Sequence, residues 1–350
     1  MVEQRKSVLV TGGAGFIGTH LVRHLLDVGE KVVVLDAFTE AANREGAVRA
    51  SRRGAVIIEG DVCDTQALAR AMMHGVGTVF HLAAETRVKT TFADPDRTLR
   101  VNGEGTERVL EAARSWDVER VVHLSSTAAL PAKRPTPYGA SKRHAEQACK
   151  AMRERGLDIR IVRAPNVVGR GESGETVLAR FVAQALDGEP LTVEGKGTAV
   201  RGFLDVECLA RALRLAMAVD RPGATLDVDT RHQCTIAALA RRVAERLGRD
   251  VAIKRVRNRR AQNADPALDG ALLCDLGWRQ RRTLDEMIEA CAKERGWTPL
   301  ARSLRNVLPK HLSRKAVRAE QVRGPVASWQ GGRPPAASGR AAHRAAIGDA

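Results

Sequence analysis

A tyrosine and a lysine four residues apart carry the clearest chemical signal in this sequence. Tyr138 is the only tyrosine among 350 residues, and Lys142 follows it at a spacing that puts both side chains on one face of a helix. A free phenol has a pKa of about 10, so a phenolate at neutral pH needs roughly 4 kcal/mol of added stabilisation. A neighbouring ammonium and a cationic nicotinamide can both provide it. We therefore expect Tyr138 to remove a hydroxyl proton from a substrate, with Thr127 holding the same oxygen, while the adjoining carbon loses a hydride.

Three spaced glycines near the start of the chain indicate where a cofactor would bind. They are Gly12, Gly15 and Gly18. They lie between an aliphatic run, residues 8–11, and apolar residues that recur with helical period from Ile17. Glycines between a strand and a helix let free backbone N–H groups approach a phosphate. A second aliphatic run ends at Asp36, near the spacing of about 20 residues expected for a carboxylate that binds an adenosine ribose. The pattern predicts a dinucleotide site, and the alternative is a glycine-rich turn in another α/β protein.

Alternating strand-like and helix-like patterns predict the scaffold that positions these groups. The strands are expected at 8–11, 31–36, 55–62, 78–84 and 120–124, and the helices include 96–116 and 137 to about 154. This order predicts an α/β fold, a doubly wound parallel sheet of Rossmann type with helices on both faces. Ligands of such sheets bind at the carboxyl ends of the strands.

Polar residues at these strand ends have a functional interpretation and a structural one. Asp61 and Val62, at the end of the third strand, are placed either to face an adenine or to cap the next helix. Ser125 and Thr127 follow the fifth strand, where they act in the chemistry or cap a turn. His81 lies inside the fourth strand, and we expect it to pack in the sheet rather than to react.

The charge of the chain is concentrated at one end. The formal net charge is +16, and residues 301–350 hold ten Lys or Arg against two acidic residues, which is +8 of that total. From residue 324 the sequence is rich in Ala, Gly, Pro, Ser and Arg, a composition that predicts disorder. The segment is either an arm for nucleic acid or anionic membrane, or a solvated extension, which we favour.

Other features restrict the compartment. No run of 18 apolar residues occurs, and the first seven residues are charged and lead directly into a strand, so we expect no membrane span and no secretory signal. The six cysteines lack paired spacing, which predicts neither a metal site nor a disulfide framework. A cytoplasmic protein is therefore expected.

Together these motifs resemble the extended short-chain dehydrogenase/reductase superfamily and, within it, the NAD-dependent epimerase/dehydratase family. The resemblance begins with residues 11–18, Asp36, Gly60-Asp61-Val62, His81-Leu82-Ala83-Ala84, Asn102 with Gly105-Thr106, 125–127 and 138–142. It continues through 163–169, 191–206 and 276–287, so that it covers about residues 7 to 298.

For the cofactor, the resemblance implies NAD. It places the pyrophosphate at the three glycines, the adenosine ribose at Asp36, the adenine at Asp61 and Val62, and the nicotinamide side near Asn102. The full set of cofactor residues that it implies is Gly12, Gly15, Phe16, Ile17, Gly18, Asp36, Asp61, Val62, Leu82, Ala83, Ala84, Asn102, Ser125, Tyr138, Lys142 and Pro165.

For the reaction, the resemblance makes Tyr138 the acid/base, Lys142 its electrostatic partner and ribose ligand, and Thr127 the ligand of the substrate hydroxyl. The substrate it implies is a nucleotide-diphosphate sugar, whose phosphates would face Asn166 and Arg201. Arginine suits that role because its planar fork pairs with phosphate oxygens. A further phosphate contact would come from Arg257, Arg259 or Arg260, of which Arg260 is favoured.

The sequence departs from the family next to Thr127. Sugar 4,6-dehydratases of the family carry an Asp-Glu pair there, and UDP-glucuronate decarboxylases a Glu two residues after the threonine. Here both positions are alanine, Ala128 and Ala129, and the 11-residue interval to Tyr138 is short for the family. No acid remains at these positions to drive elimination, which favours epimerisation.

The resemblance also implies the organisation of the chain. A Rossmann domain is expected over 1–165 and 201–230, a smaller substrate lobe over 166–200 and 231–298, and a basic tail over 299–350. We expect an NAD-dependent nucleotide-sugar epimerase that acts at C4 through a transient 4-keto sugar, and a homodimer formed through the helices that hold Asn102 and Tyr138. The alternatives are a net dehydrogenase or reductase of a sugar, sterol-like or natural-product alcohol, and, more remotely, a non-catalytic nucleotide-sensing protein.

Overall fold

The main sheet accounts for the aliphatic runs of the sequence. A computed structural model describes residues 6–39, 41–132, 135–172, 174, 176–257, 265–266 and 268–298. In these residues seven strands form one parallel sheet. In spatial order the strands are β10 (Thr225–Asp227), β6 (Ile159–Ala164), β5 (Arg120–Ser126), β4 (Val76–His81), β1 (Ser7–Thr11), β2 (Val32–Asp36) and β3 (Val56–Glu59). The order reverses between β1 and β4, and ligands of open sheets bind at such a reversal.

Helices cover both faces of this sheet. The helices of the described residues, including those that pack elsewhere, are α1 (Phe16–Asp27), α2 (Ala41–Ser51), α3 (Thr65–Met72), α4 (Val88–Ala93), α5 (Pro95–Leu99), α6 (Gly105–Ser115), α7 (Pro137–Glu154), α8 (Val177–Asp187), α9 (Val206–Ala218), α10 (Ile236–Leu247), α11 (Ala271–Asp275) and α12 (Leu284–Lys293). Val8 and Val10 of β1 pack in one core with residues of α1 and α9, whereas Leu9 packs in another with residues of α3, α6 and α7. This alternation has the period of two expected of a strand covered on both faces. The predicted doubly wound parallel sheet is confirmed.

Shorter strands and further helices form a third core. β7 (Asn166–Val168), β9 (Val200–Asp205) and β11 (Gln233–Thr235) form one small sheet, and β8 (Leu191–Glu194) pairs with β12 (Ile253–Val256). Helices α8, α10 and α12 contribute Phe181, Val243 and Ile288 to the core that these strands share. Residues of α9 belong instead to the core of the main sheet, and β10 extends that sheet. The two-domain bounds given above stay a prediction.

Four predicted elements differ in their bounds by two residues or more. The fifth strand continues to Ser126 instead of ending at residue 124, so Ser125 lies inside the strand. The third strand ends at Glu59 instead of residue 62, because Gly60 and Asp61 begin a turn in which the Asp61 carboxylate accepts a hydrogen bond from Cys63 N at 2.8 Å. The fourth ends at His81 instead of residue 84. The helix expected over 96–116 consists of α5, a π turn at Arg100–Glu104 and α6. Single π turns inside helices often mark functional sites.

The described residues also bear on membrane spans, disulfides and metal sites. No described helix has the length and apolar character needed to cross a bilayer. All six cysteines are free thiols. Among the described residues, no cluster of His, Cys, Asp and Glu is arranged to hold a metal ion. The predicted basic tail, 299–350, lies outside the described residues.

Candidate active site

The glycine loop between β1 and α1 forms a cradle that leads into the uncapped start of α1. Gly12 has a left-handed φ of 67°, and a Cβ at this position would lie 2.8 Å from the backbone of Ala83. Gly15 is the N-cap of α1, and no side chain caps the N–H groups at the start of the helix. Phe16 and Ile17 begin that turn. A helix start left open in this way is suited to an anion such as a pyrophosphate.

Asp36, the last residue of β2, is bound to the same loop. Its carboxylate accepts hydrogen bonds from Ala14 N at 3.0 Å and Phe38 N at 2.9 Å, and the residue is 7% exposed. These bonds fix the carboxylate beside the glycine cradle, where the sequence places the ribose. The guanidinium of Arg44 lies 5.0 Å from the centre of the Phe38 ring and pairs with Glu59.

Asp61 and Val62 lie in the turn after β3. Val62 is buried, and its Cγ2 would be 2.9 Å from a Cβ on Gly105 at the start of α6. Asp64, rather than Asp61, caps the following helix through a hydrogen bond from Gln66 N. The capping alternative for Asp61 is thereby excluded, and its contact with an adenine remains a prediction.

Asn102 joins two segments that flank the site. The side chain lies in the π turn, is 1% exposed, and accepts a hydrogen bond from Glu85 N at 2.7 Å. Its amide nitrogen donates to Glu85 O at 2.9 Å and to Ser141 Oγ at 3.0 Å. The loop after β4, which holds Leu82, Ala83 and Ala84, is thereby fastened to α7 one turn from Tyr138.

Tyr138, Lys142 and Thr127 meet where α7 begins. Thr136 caps the helix by accepting from Gly139 N at 3.0 Å. A Cβ on Gly139 would lie 2.5 Å from Ala128 O, so the first turn of α7 packs directly on the 3-10 turn Thr127–Ala129. Arg143 donates to Ala129 O at 3.0 Å and fixes the same turn. The fold therefore brings the three predicted catalytic residues to one strand end.

The electrostatics of this trio follow from burial. Burial raises the pKa of the partly exposed Tyr138 to about 12, and a hydrogen bond with Ser126 opposes part of that shift. Lys142 is 4% exposed and donates to Leu124 O at 2.8 Å, and burial lowers its pKa to about 8. The protein alone therefore holds Tyr138 as a phenol and Lys142 as an ammonium at neutral pH. Lowering the Tyr138 pKa requires a further positive charge beside it.

Ser125 faces a partner that the sequence reasoning missed. Its hydroxyl donates to Glu146 Oε1 at 2.6 Å, and Arg163 of β6 donates to both oxygens of that carboxylate at 2.8 and 2.7 Å. Glu146 lies four residues after Lys142, a spacing that could have drawn attention to it. Nothing in the sequence pairs it with Arg163 or Ser125.

Asn166 and Arg201, the predicted substrate ligands, both contact Asp265, a residue that the sequence analysis did not identify. Asn166 donates to Asp265 Oδ2 at 2.7 Å, and Arg201 Nη1 lies 3.4 Å from Asp265 Oδ1. Burial raises the pKa of Asp265, and the Arg201 charge opposes the shift. Pro165 is buried at the end of β6, just before Asn166. Arg260 lies outside the described residues.

His81 is a packing residue, as expected. Its Nδ1 lies 2.8 Å from Thr11 Oγ1 and its Nε2 2.9 Å from Thr106 Oγ1. Burial lowers the pKa of His81 to about 3, so the ring is neutral. Both ring nitrogens of the adjacent His123 are buried without a hydrogen-bond partner among the described residues.

Comparison with known proteins decides the family. A sequence profile of the NAD-dependent epimerase/dehydratase family matches residues 8–228. That span is more than half of the 350 residues. The chain belongs to this family. It is therefore an enzyme of the NAD-dependent extended short-chain dehydrogenase/reductase group, and the predictions of family and cofactor are confirmed.

Similar proteins of the family include both dehydratases and epimerases. The chain is similar to dTDP-glucose 4,6-dehydratase of Neisseria gonorrhoeae, with 31% identity over 323 residues that cover 81% of this chain and 93% of the relative. Dehydratase DesIV of Streptomyces venezuelae, solved with NAD bound, has a TM-score of 0.76 at 30% identity, over 83% of this chain and 98% of that one. UDP-glucose 4-epimerase of Thermus thermophilus, in complex with NAD, has a TM-score of 0.74 at 30% identity, over 83% and 100%. Similarity to the dehydratase and to the epimerase is nearly equal, so it does not distinguish between the two reactions.

The residues of this epimerase/dehydratase family member fit NAD. Side chains on Gly12 and Gly18 would fill the cradle, since a Cβ on Gly18 would lie 2.1 Å from Gly12 O. The cradle, the open start of α1 and the carboxylate of Asp36 match a pyrophosphate joined to a ribose that carries free hydroxyls.

Asp36 leads us to expect at least tenfold tighter binding of NAD than of NADP, which corresponds to about 1.4 kcal/mol. A buried carboxylate repels the 2′-phosphate of NADP, and the nearby Arg44 is paired with Glu59. Isothermal titration calorimetry with both cofactors measures the ratio. Asp36→Ser should reduce the ratio of the two affinities, because the carboxylate that repels the 2′-phosphate is gone. Equal affinities in the wild type would refute this role of Asp36.

Proposed function

We propose that this chain is a nucleotide-sugar epimerase that acts at C4 through a transient 4-keto sugar. The observation that carries the proposal is the turn beside Tyr138. Thr127 is 8% exposed there, and the two residues after it, Ala128 and Ala129, offer no carboxylate. The acid pair expected of a 4,6-dehydratase is absent from that turn, whereas the proton-transfer residues are present.

Each residue of the site has its own role in the proposed reaction. NAD, when bound, supplies the hydride acceptor that later returns the hydride to the sugar. Tyr138 takes the proton of the C4 hydroxyl and gives it back, and the Lys142 ammonium favours the phenolate form during that exchange. Thr127 holds the C4 oxygen. Asn166 and Arg201 bind the diphosphate, with Arg260 as a further phosphate ligand. Asn166 and Arg201 must therefore leave Asp265 when the substrate binds.

A net dehydrogenase or reductase of a sugar or other alcohol is the second candidate. It uses the same trio, Thr127, Tyr138 and Lys142, and differs from the epimerase in exchanging NAD at each turnover. The remaining alternative, a non-catalytic nucleotide-sensing protein, is opposed by the complete trio and by membership of an enzyme family.

One experiment separates these candidates. The purified enzyme is incubated with excess NAD and with UDP-glucose, UDP-galactose or dTDP-glucose. Products are identified by NMR, and absorbance at the NADH band is followed. Inversion at C4 without accumulation of NADH supports epimerisation. Accumulating NADH supports the dehydrogenase, a product that has lost the C6 oxygen supports a dehydratase, and no turnover of any alcohol supports the sensing protein. Tyr138→Phe is the matched inactive control.

We further propose that the enzyme is a cytoplasmic homodimer. The exposed side of α3, α6 and α7 forms a mainly apolar groove of about 650 Å³, and Trp116 at its edge is 46% exposed. The free thiols fit a reducing compartment. Light scattering of the wild type and of Trp116→Glu measures whether this face joins two copies.

A further inference from the structure

Glu146 is an acid buried beneath the catalytic residues. It is 5% exposed and lies on α7, one turn beyond Lys142. Burying a carboxylate is costly unless it is fully paired. Ser125 and Arg163 provide that pairing through three hydrogen bonds of 2.6 to 2.8 Å. Burial raises the pKa of Glu146, but the bonds from Arg163 and Ser125 outweigh this and hold it below its usual value. The carboxylate is therefore ionised at neutral pH.

The partners of Glu146 span the carboxyl ends of three strands. Ser125 of β5 is in register with Arg163 of β6, which is in register with Asp227 of β10. Arg163 Nη1 lies 3.6 Å from Asp227 Oδ1. One guanidinium thus links α7, through Glu146, to the edge of the main sheet. Such a planar fork fixes geometry as well as charge.

Lys142 lies on the same side of α7. Its ammonium donates to Leu124 O, and the next residue of β5, Ser125, donates to Glu146. The titratable groups around Lys142 are Tyr138, Glu146 and Cys149 on α7, His81 on β4 and His123 on β5, while Lys150, Arg163 and Asp227 act on Glu146 or its partner.

Most of these groups carry no charge at neutral pH. Burial raises the pKa of the Cys149 thiol to about 12, and burial lowers the pKa of both histidines. Glu146 is therefore the charged acid whose field favours the ammonium form of Lys142 at neutral pH among the described neighbours. Without the Glu146 charge, no charged acid among these neighbours opposes burial, which lowers the pKa of Lys142.

We propose that Glu146 is a positioning residue for Lys142. Its carboxylate keeps the Lys142 side chain an ammonium, and its bonds to Ser125 and Arg163 fix the first half of α7 against the end of β5. The inference rests on the proposed function in one respect, the action of the Lys142 ammonium as a ligand of the cofactor.

The test compares cofactor occupancy across pH. Wild type, Glu146→Gln and Asp227→Asn are dialysed to equilibrium against one low concentration of NAD at pH values from 6.5 to 9.5, and bound NAD is measured after denaturation. Occupancy of the wild type should fall on the alkaline side as Lys142 loses its proton. In Glu146→Gln the midpoint of that fall should move down by about one pH unit, since an opposite charge on the same site is removed. Asp227→Asn removes a carboxylate from the far side of Arg163, so its midpoint should match the wild type.

The outcomes distinguish the positioning role of Glu146 from the cofactor role of Lys142. A Glu146→Gln protein that binds NAD more weakly by the same factor at every pH, with an unchanged midpoint, overturns the inference and leaves Glu146 a structural residue. A wild type without an alkaline fall, matched by Lys142→Met, overturns the role of Lys142 itself. Because Glu146→Gln leaves Arg163 with only the more distant Asp227 as a partner charge, Glu146→Gln/Arg163→Gln is measured alongside. Loss of the Arg163 charge favours the ammonium form of Lys142, so the midpoint of the double variant should lie between those of Glu146→Gln and the wild type.

Discussion

Tyr138→Phe should reduce kcat at least about 100-fold while the protein still folds and binds NAD. The substitution keeps the ring that packs at the start of α7 and removes only the hydroxyl. Because the phenol is the group that would carry the substrate proton, its loss removes acid/base catalysis and leaves the cofactor site in place. Steady-state turnover, with thermal melting and NAD titration of the same samples, measures the three effects separately.

Two other substitutions show whether the loss is specific. Thr127→Val should cost less activity, because Thr127 orients the substrate oxygen without accepting its proton. Lys142→Met should raise the pH at which activity appears, since the ammonium that favours the phenolate is gone. If Tyr138→Phe turns over a substrate at nearly the wild-type rate, the proton-transfer role of Tyr138 is wrong, whatever the glycine loop shows about the cofactor.

Local motifs made most of the cofactor side predictable. The glycines, the strand ending in Asp36 and the Tyr138–Lys142 spacing each lie within a short stretch, and backbone geometry fixes what such a stretch can form. The parallel order of the strands then brings their carboxyl ends together, which is why Thr127, Lys142 and the glycine loop share one edge of the sheet.

Contacts between distant residues were not predictable. Glu146 pairs with Arg163 across 17 positions and Asn166 with Asp265 across 99. A sequence of 57 basic and 41 acidic residues offers too many combinations for charge alone to identify such partners. The π turn was hidden for a different reason. The turn Arg100–Glu104 lies between two helical segments, and its Asn102 bonds to Glu85 and Ser141, contacts that no local pattern predicts.

Gly18→Ala should destabilise the protein by about 1–3 kcal/mol, as expected when a methyl is forced into a packed site. It should also weaken NAD binding more than tenfold. The added Cβ would lie 2.1 Å from Gly12 O and 2.7 Å from Gly13 Cα. These are backbone atoms of the cradle, so no side chain can move to make room, and the loop itself must shift. Thermal melting measures the first effect and calorimetry with NAD the second.

Gly15→Ala separates the packing of the cradle from its contact with phosphate. A Cβ on Gly15 would meet Gly12 O at 3.3 Å, a tight contact that a small shift relieves, and Gly15 has an ordinary φ of −71°. Its melting temperature should therefore stay close to that of the wild type, while the methyl at the open start of α1 still weakens NAD binding. Should Gly18→Ala melt like the wild type and bind NAD normally, the cradle tolerates a side chain, and the close approach of α1 to the loop after β1 is not what forms the pyrophosphate site.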